Sequence, residues 1–93
     1  MNFQVDWMPR ALNQLTNIWL ASANRNAVTA AVHAIDQTLA VDADTVGRVV
    51  FDTVREYNQP PLGVEFEVIL ADARVWVLLV WDLATGRPPA SGN

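Results

Sequence analysis

Glu65 and Glu67 stand two apart in the stretch GVEFEVILADARVWVLLVWDL, residues 63 to 83. On a strand this spacing puts both carboxylates side by side on one face, where they could serve as general acid and base or as ligands for a hard cation. The sequence places no third carboxylate to complete a metal site, and two acids on an exposed sheet face are ordinarily solvated or paired with a cation. Arg55 is the expected cross-strand partner. The single histidine, His33, is the side chain that titrates near neutrality and is therefore a candidate for proton transfer. It falls about 140° around a helix from that helix's apolar stripe, which turns it to solvent and away from any sheet. Arg48, Arg55, Tyr57, Arg74 and Arg87 are the other polar groups suited to a functional surface, with Arg55 and Tyr57 on one face of a strand. Four tryptophans are many for 93 residues. Trp7 and Trp19 belong to apolar stripes and are expected in the core. Trp76 and Trp81, five apart on one strand, are expected on opposite faces, leaving one uncovered as an anchor for a partner.

The chain that must position these groups has one domain's length and an apolar fraction of 52%, enough for a single modest core. Without cysteine there is no disulfide and no thiolate chemistry, and one histidine leaves too few ligands for a structural zinc site. Nothing in the sequence calls for a cofactor. Ten acids face six arginines and no lysine, for a net charge of −4, which disfavours RNA or ribosome binding unless the fold gathers the scattered arginines. No run of about 18 apolar residues and no signal-peptide pattern occurs, so a cytoplasmic protein with no membrane contact is expected.

NFQVDW alternates Phe3, Val5 and Trp7 with polar residues, the period of a half-buried strand. Pro9 suits the first turn of a helix, and Leu12, Leu15 and Trp19, flanked by Ala11 and Ile18, carry that helix to about Ala21. Asn24 or Asn26 can cap a second helix, whose stripe runs through Val28, Ala31, Val32, Ile35 and Leu39. Two helices joined by so short a loop must form an antiparallel hairpin. Residues 49 to 57 alternate loosely as a strand, and NQPPLG is a loop because two prolines cannot continue a ladder. Val64, Phe66, Val68 and Leu70 then share one face, ADA turns the chain, and RVWVLLVWDL is apolar on both faces as an interior strand would be. The order is strand, helix, helix, strand, strand, strand, a single domain over 1–84 with a flexible tail over 85–93.

The proline-started helix after the opening strand (VDWMPRALNQLTNIWL), the Gly47-Arg48 pair after the second helix, the Val54, Arg55, Glu56 strand and the closing FEVILADARVWVLLV resemble the RelE/ParE superfamily of toxins from type II toxin–antitoxin systems. The resemblance implies an α+β domain with a helical hairpin packed on one face of a small antiparallel sheet. It also implies a concave opposite face, where ribonuclease members engage messenger RNA on the ribosome without a metal and where arginine and tyrosine bind phosphate and base. Other members inhibit DNA gyrase, and an antitoxin typically wraps the toxin. Two departures stand out: Glu65 and Glu67 occupy positions where ribonuclease members place arginine or lysine, and Asp82 stands where many place a histidine. A cleft that must stabilise charge developing on a phosphate has lost its cations. The expectation is therefore a toxin-like protein with weak or no ribonuclease activity, or a non-catalytic interaction domain on the same fold. Were it an enzyme, it would be a metal-independent ribosome-associated endoribonuclease acting through Arg55, Tyr57, Arg74 or Arg87. Its partner, a cognate antitoxin or a second copy, is expected on the concave face at Trp76, Trp81, Glu65 and Glu67.

Overall fold

The computed structural model describes residues 2–87. Strand β1 (Gln4–Trp7) leads into helix α1 (Pro9–Ala21), which starts with Pro9 at the position where a missing N–H costs nothing. Helix α2 (Arg25–Asp42) begins at Asn24, whose side-chain oxygen accepts the Ala27 N–H at 3.1 Å. The remaining strands are β2 (Arg48–Phe51), β3 (Val54–Gln59), β4 (Leu62–Ile69) and, after one 3-10 turn, β5 (Arg74–Asp82).

These strands form one sheet in the order β1-β5-β4-β3-β2. Neighbours from β5 to β2 are antiparallel, while β1 joins β5 in parallel, so the sheet is mixed rather than wholly antiparallel. There is one more strand than expected, because residues 49–57 are not continuous. They reverse at Asp52, which adopts a left-handed backbone (φ 51°), and become the β2–β3 hairpin. Pro60 and Pro61 make the tight turn of the next hairpin, in which Gln59 faces Leu62.

Both helices lie on one face of the sheet. Ala11 from α1 and Val28, Ala31, Ile35 and Leu39 from α2 pack on Leu62, Val64 and Phe66 of β4 and Val75, Val77 and Val80 of β5. Val32 packs against this core without being fully buried. In α1 the side turned to the sheet carries Ala11, which is buried, with Leu15 and Ile18 partly buried against the core; of the expected stripe Leu15 keeps its place, while Leu12 and Trp19 are exposed. Trp19 is therefore not a core residue; its ring carries the Arg25 guanidinium at 4.6 Å. Trp7 does pack against the core, and its indole N–H donates to Asp36 at 2.7 Å. Leu70 leaves the face it was expected to share with Val68, because the chain enters the 3-10 turn there, and it is exposed.

The β5 strand contains a bulge: Glu65 faces Leu79 while Phe66 faces Val77, so Leu78 is the extra residue. A bulge shifts the side-chain alternation by one. Beyond Val77 the β1 ladder has ended, and the Val80 N–H is taken by the side chain of Gln14 from α1 at 3.0 Å.

Candidate functional site

Residues directly opposite one another in a ladder share a face. Val64, Phe66 and Val68 pair with Val80, Val77 and Val75 on the helical side. Gly63, Glu65 and Glu67, facing Trp81, Leu79 and Trp76, therefore line the opposite, open face. Trp76 and Trp81 were expected on opposite faces. The bulge at Leu78 cancels the odd spacing and puts both on the open face, beside the two glutamates.

The adjacent strand adds Glu56, directly opposite Glu65. Two carboxylates facing each other across a ladder repel, and the structure resolves this with arginines from distant parts of the chain. Arg48 on β2 reaches Glu56 at 2.6 Å. Arg87, beyond the last strand, places one guanidinium nitrogen 2.6 Å from the second oxygen of Glu56 and the other on Glu65. The same guanidinium lies 5.0 Å from the centre of the Trp81 ring. Trp81 itself rests on Gly63, where a Cβ would come within 2.6 Å of the indole, so only glycine leaves room for the ring. Sandwiched in this way, Trp81 is only 6% exposed. Glu67 accepts the Thr53 hydroxyl at 3.0 Å. At the far edge Arg74 pairs with Asp6 at 3.0 Å and approaches the Trp76 ring at 5.9 Å.

Arg55 and Tyr57 do share a face, but it is the helical one, since they oppose Phe66 and Val64. The expected pairing of Arg55 with Glu65 or Glu67 is thus ruled out by strand parity. Arg55 instead donates to the Val46 carbonyl at 2.9 Å and to the Gly47 carbonyl, tying the α2–β2 connection to the sheet. The Tyr57 hydroxyl lies 2.8 Å from the Gln59 side-chain oxygen, and its ring packs against the core. His33 is exposed on the helical side, in a shallow groove of about 240 Å³ with Leu15, Trp19 and Val32. Asp82 fastens a turn by accepting the Ala84 N–H at 2.9 Å.

The open face thus collects the acidic pair, both tryptophans, Arg74 and Arg87, and leaves Arg55, Tyr57 and His33 elsewhere. Among the described residues, each open-face arginine is ion-paired, and no three of the His, Cys, Asp and Glu side chains come together as a metal site would require. Glu56 and the bridging role of Arg87 escape sequence reasoning, because each depends on strand register. The only trace in the sequence is the alternation that puts Glu56 between Arg55 and Tyr57. Nor is the open face the main exposed apolar surface. That lies along the edge strand, at Val49, Val50 and Phe51, the last 66% exposed, and at Leu12, Leu20, Val41 and Leu70.

No protein-family profile and no curated protein sequence matches this chain. Solved structures do match its fold. A chain of the RelBE2 toxin–antitoxin complex from Mycobacterium tuberculosis superposes with a TM-score of 0.73 at 14% identity, over 88% of this chain and 92% of that one. The chromosomal ParDE toxin–antitoxin system of P. aeruginosa gives 0.63 at 19% identity, over 86% of this chain and 95% of that one. The archaeal RelE–RelB complex of Pyrococcus horikoshii gives 0.63 at 11% identity, over 92% of this chain and all of that one. The chain therefore adopts the α+β fold of RelE/ParE toxins, with two helices on one face of a five-stranded mixed sheet. None of its helices is long and apolar enough to cross a membrane, among the described residues.

Proposed function

We propose that this protein is the toxin-like component of a type II toxin–antitoxin pair, with weak or no ribonuclease activity, and that its partner docks on the open face. The fold shared with proteins in toxin–antitoxin complexes supports the first part. The weak or absent ribonuclease activity rests on one observation: where RNA cleavage without a metal needs free cations around a phosphate, Arg48, Arg74 and Arg87 are all occupied by carboxylates. Anions on the same face repel an RNA backbone, and the repulsion grows as water is excluded. Arg55 and Tyr57, which could have formed a phosphate and base site, face the helices instead. Trp76, Glu65 and Glu67, together with Trp81 beneath Arg87, are the residues that a cognate antitoxin or a second copy would meet.

The same ion pairing favours a second reading, a non-catalytic interaction domain that retains the fold. Induced expression with and without the neighbouring reading frame separates the two. Growth arrest relieved by co-expression, with the two products purifying together, supports the toxin-like reading. Unimpaired growth with no co-purifying product supports the interaction domain.

A further inference from the structure

The described chain ends on a contact that the strand pattern gives no reason to expect. After β5 the Asp82 carboxylate and carbonyl gather the N–H groups of Ala84, Thr85 and Gly86, and the Leu83 N–H donates to the Pro61 carbonyl at 2.9 Å. This folds the segment back over the end of the β3–β4 hairpin. Gly86 then takes a left-handed backbone, φ +88°, with nothing within 4 Å of where a Cβ would stand. Its glycine is needed for the direction of the chain and not for space. The reversal delivers Arg87 to three strands at once: Glu56 on β3, Glu65 on β4 and Trp81 on β5.

We propose that residues 83–87 form a latch, fastened by Arg87, that covers Trp81 and must lift before a partner can use the open face. The proposal builds on the reading of that face as a partner surface. Closed, the latch neutralises the opposed Glu56 and Glu65 and hides one face of the indole, Gly63 backing the other. Lifted, it uncovers an aromatic ring beside two carboxylates, with Arg48 left on Glu56 alone. The fastening is of a kind that releases readily. The Arg87 side chain keeps 38% of its exposure, so water and salt compete for it, whereas Trp81 is held in place from below. A partner that brings its own arginine or lysine to this spot would compete for the same three contacts.

The test uses the protein alone, so that its failure is distinct from a failure to find a partner. Protein labelled with 5-fluorotryptophan gives four fluorine signals, and Trp81→Phe identifies the one from Trp81. A soluble paramagnetic reagent then reports exposure. In the wild type the Trp81 signal is expected to be shielded. In Arg87→Ala its relaxation enhancement is expected to rise several-fold, while those of Trp7, Trp19 and Trp76 stay unchanged. Gly86→Ala, which introduces no clash, is expected to give a smaller rise at Trp81 only, because the left-handed backbone disfavours alanine. If all four signals change in Arg87→Ala, a general loosening has occurred and Gly86→Ala decides the question. An unchanged Trp81 signal in Gly86→Ala and in a folded Arg87→Ala would overturn the latch.

Discussion

The two faces of the central strands are built from the same alternating residues and stabilised by different physics. On the helical side Val64, Phe66, Val68, Val75, Val77 and Val80 bury apolar surface, and among the described residues no polar or charged one is fully buried there. On the open side Glu56, Glu65 and Glu67 are held by arginines and a hydroxyl, and the large apolar group at the centre, Trp81, is covered by a cation and a glycine. One face is a core whose centre tolerates no unpaired charge, Arg55 at its margin having carbonyl partners for its donors. The other is a charge network in which substitutions change recognition more than folding.

This contrast sets an order of expected effects. Ile35→Asp puts an unpaired carboxylate at a fully buried position and is expected to destabilise the protein by several kcal/mol in chemical denaturation, about 3 or more. His33→Ala, at an exposed position, should stay within about 0.5 kcal/mol. Gly63→Val crowds the Trp81 ring from below. A loss of about 1–3 kcal/mol is expected, with the indole displaced and more exposed. Equal stability of this variant and the wild type would show that Trp81 does not rest on Gly63. Arg55→Ala removes donors from two carbonyls at the α2–β2 connection and is expected to cost about 1 kcal/mol. It should have no effect on RNA binding, which sharpens the separation of the two faces.

Much of the covered face is legible in the sequence. Pro9 and the apolar spacing mark α1, Asn24 or Asn26 marks the start of α2, with Asn24 the cap in the structure, and Val28, Ile35 and Leu39 announce the buried side of that helix. These signals are local, and burial rewards them directly. What stays hidden depends on backbone events that no residue type announces. The turn at Asp52 has neither glycine nor proline, so β2 and β3 read as one strand. The bulge at Leu78 lies within a uniformly apolar run, and it alone decides that Trp76 and Trp81 share a face. The Arg87 contacts join residues 22 and 31 positions apart, which only the register of β3 on β4 brings together. The expected tail over 85–93 divides accordingly. Arg87 packs on the sheet, and positions 88–93 lie outside the described residues.

The smallest effect on folding and the largest on recognition should come from reversing the opening pair. Glu65→Arg with Glu67→Arg releases Arg87 from one partner and adds two cations to the open face. Tighter RNA binding is expected, with a salt dependence steeper by about 0.7 in log–log slope for each added phosphate contact on a single strand. RNA affinity unchanged from the wild type would mean that the charge of this face does not control access.

The most direct test is messenger cleavage by the purified wild-type protein on translating ribosomes, read by primer extension. With Arg48, Arg74 and Arg87 each bound to a carboxylate, the expected result is no cleavage above the background of ribosomes alone. Efficient cleavage by the wild type would contradict the account: its loss in Arg48→Ala or Arg87→Ala would restore a nuclease site on the open face, and its loss in Arg55→Ala or Tyr57→Phe would place one on the helical side.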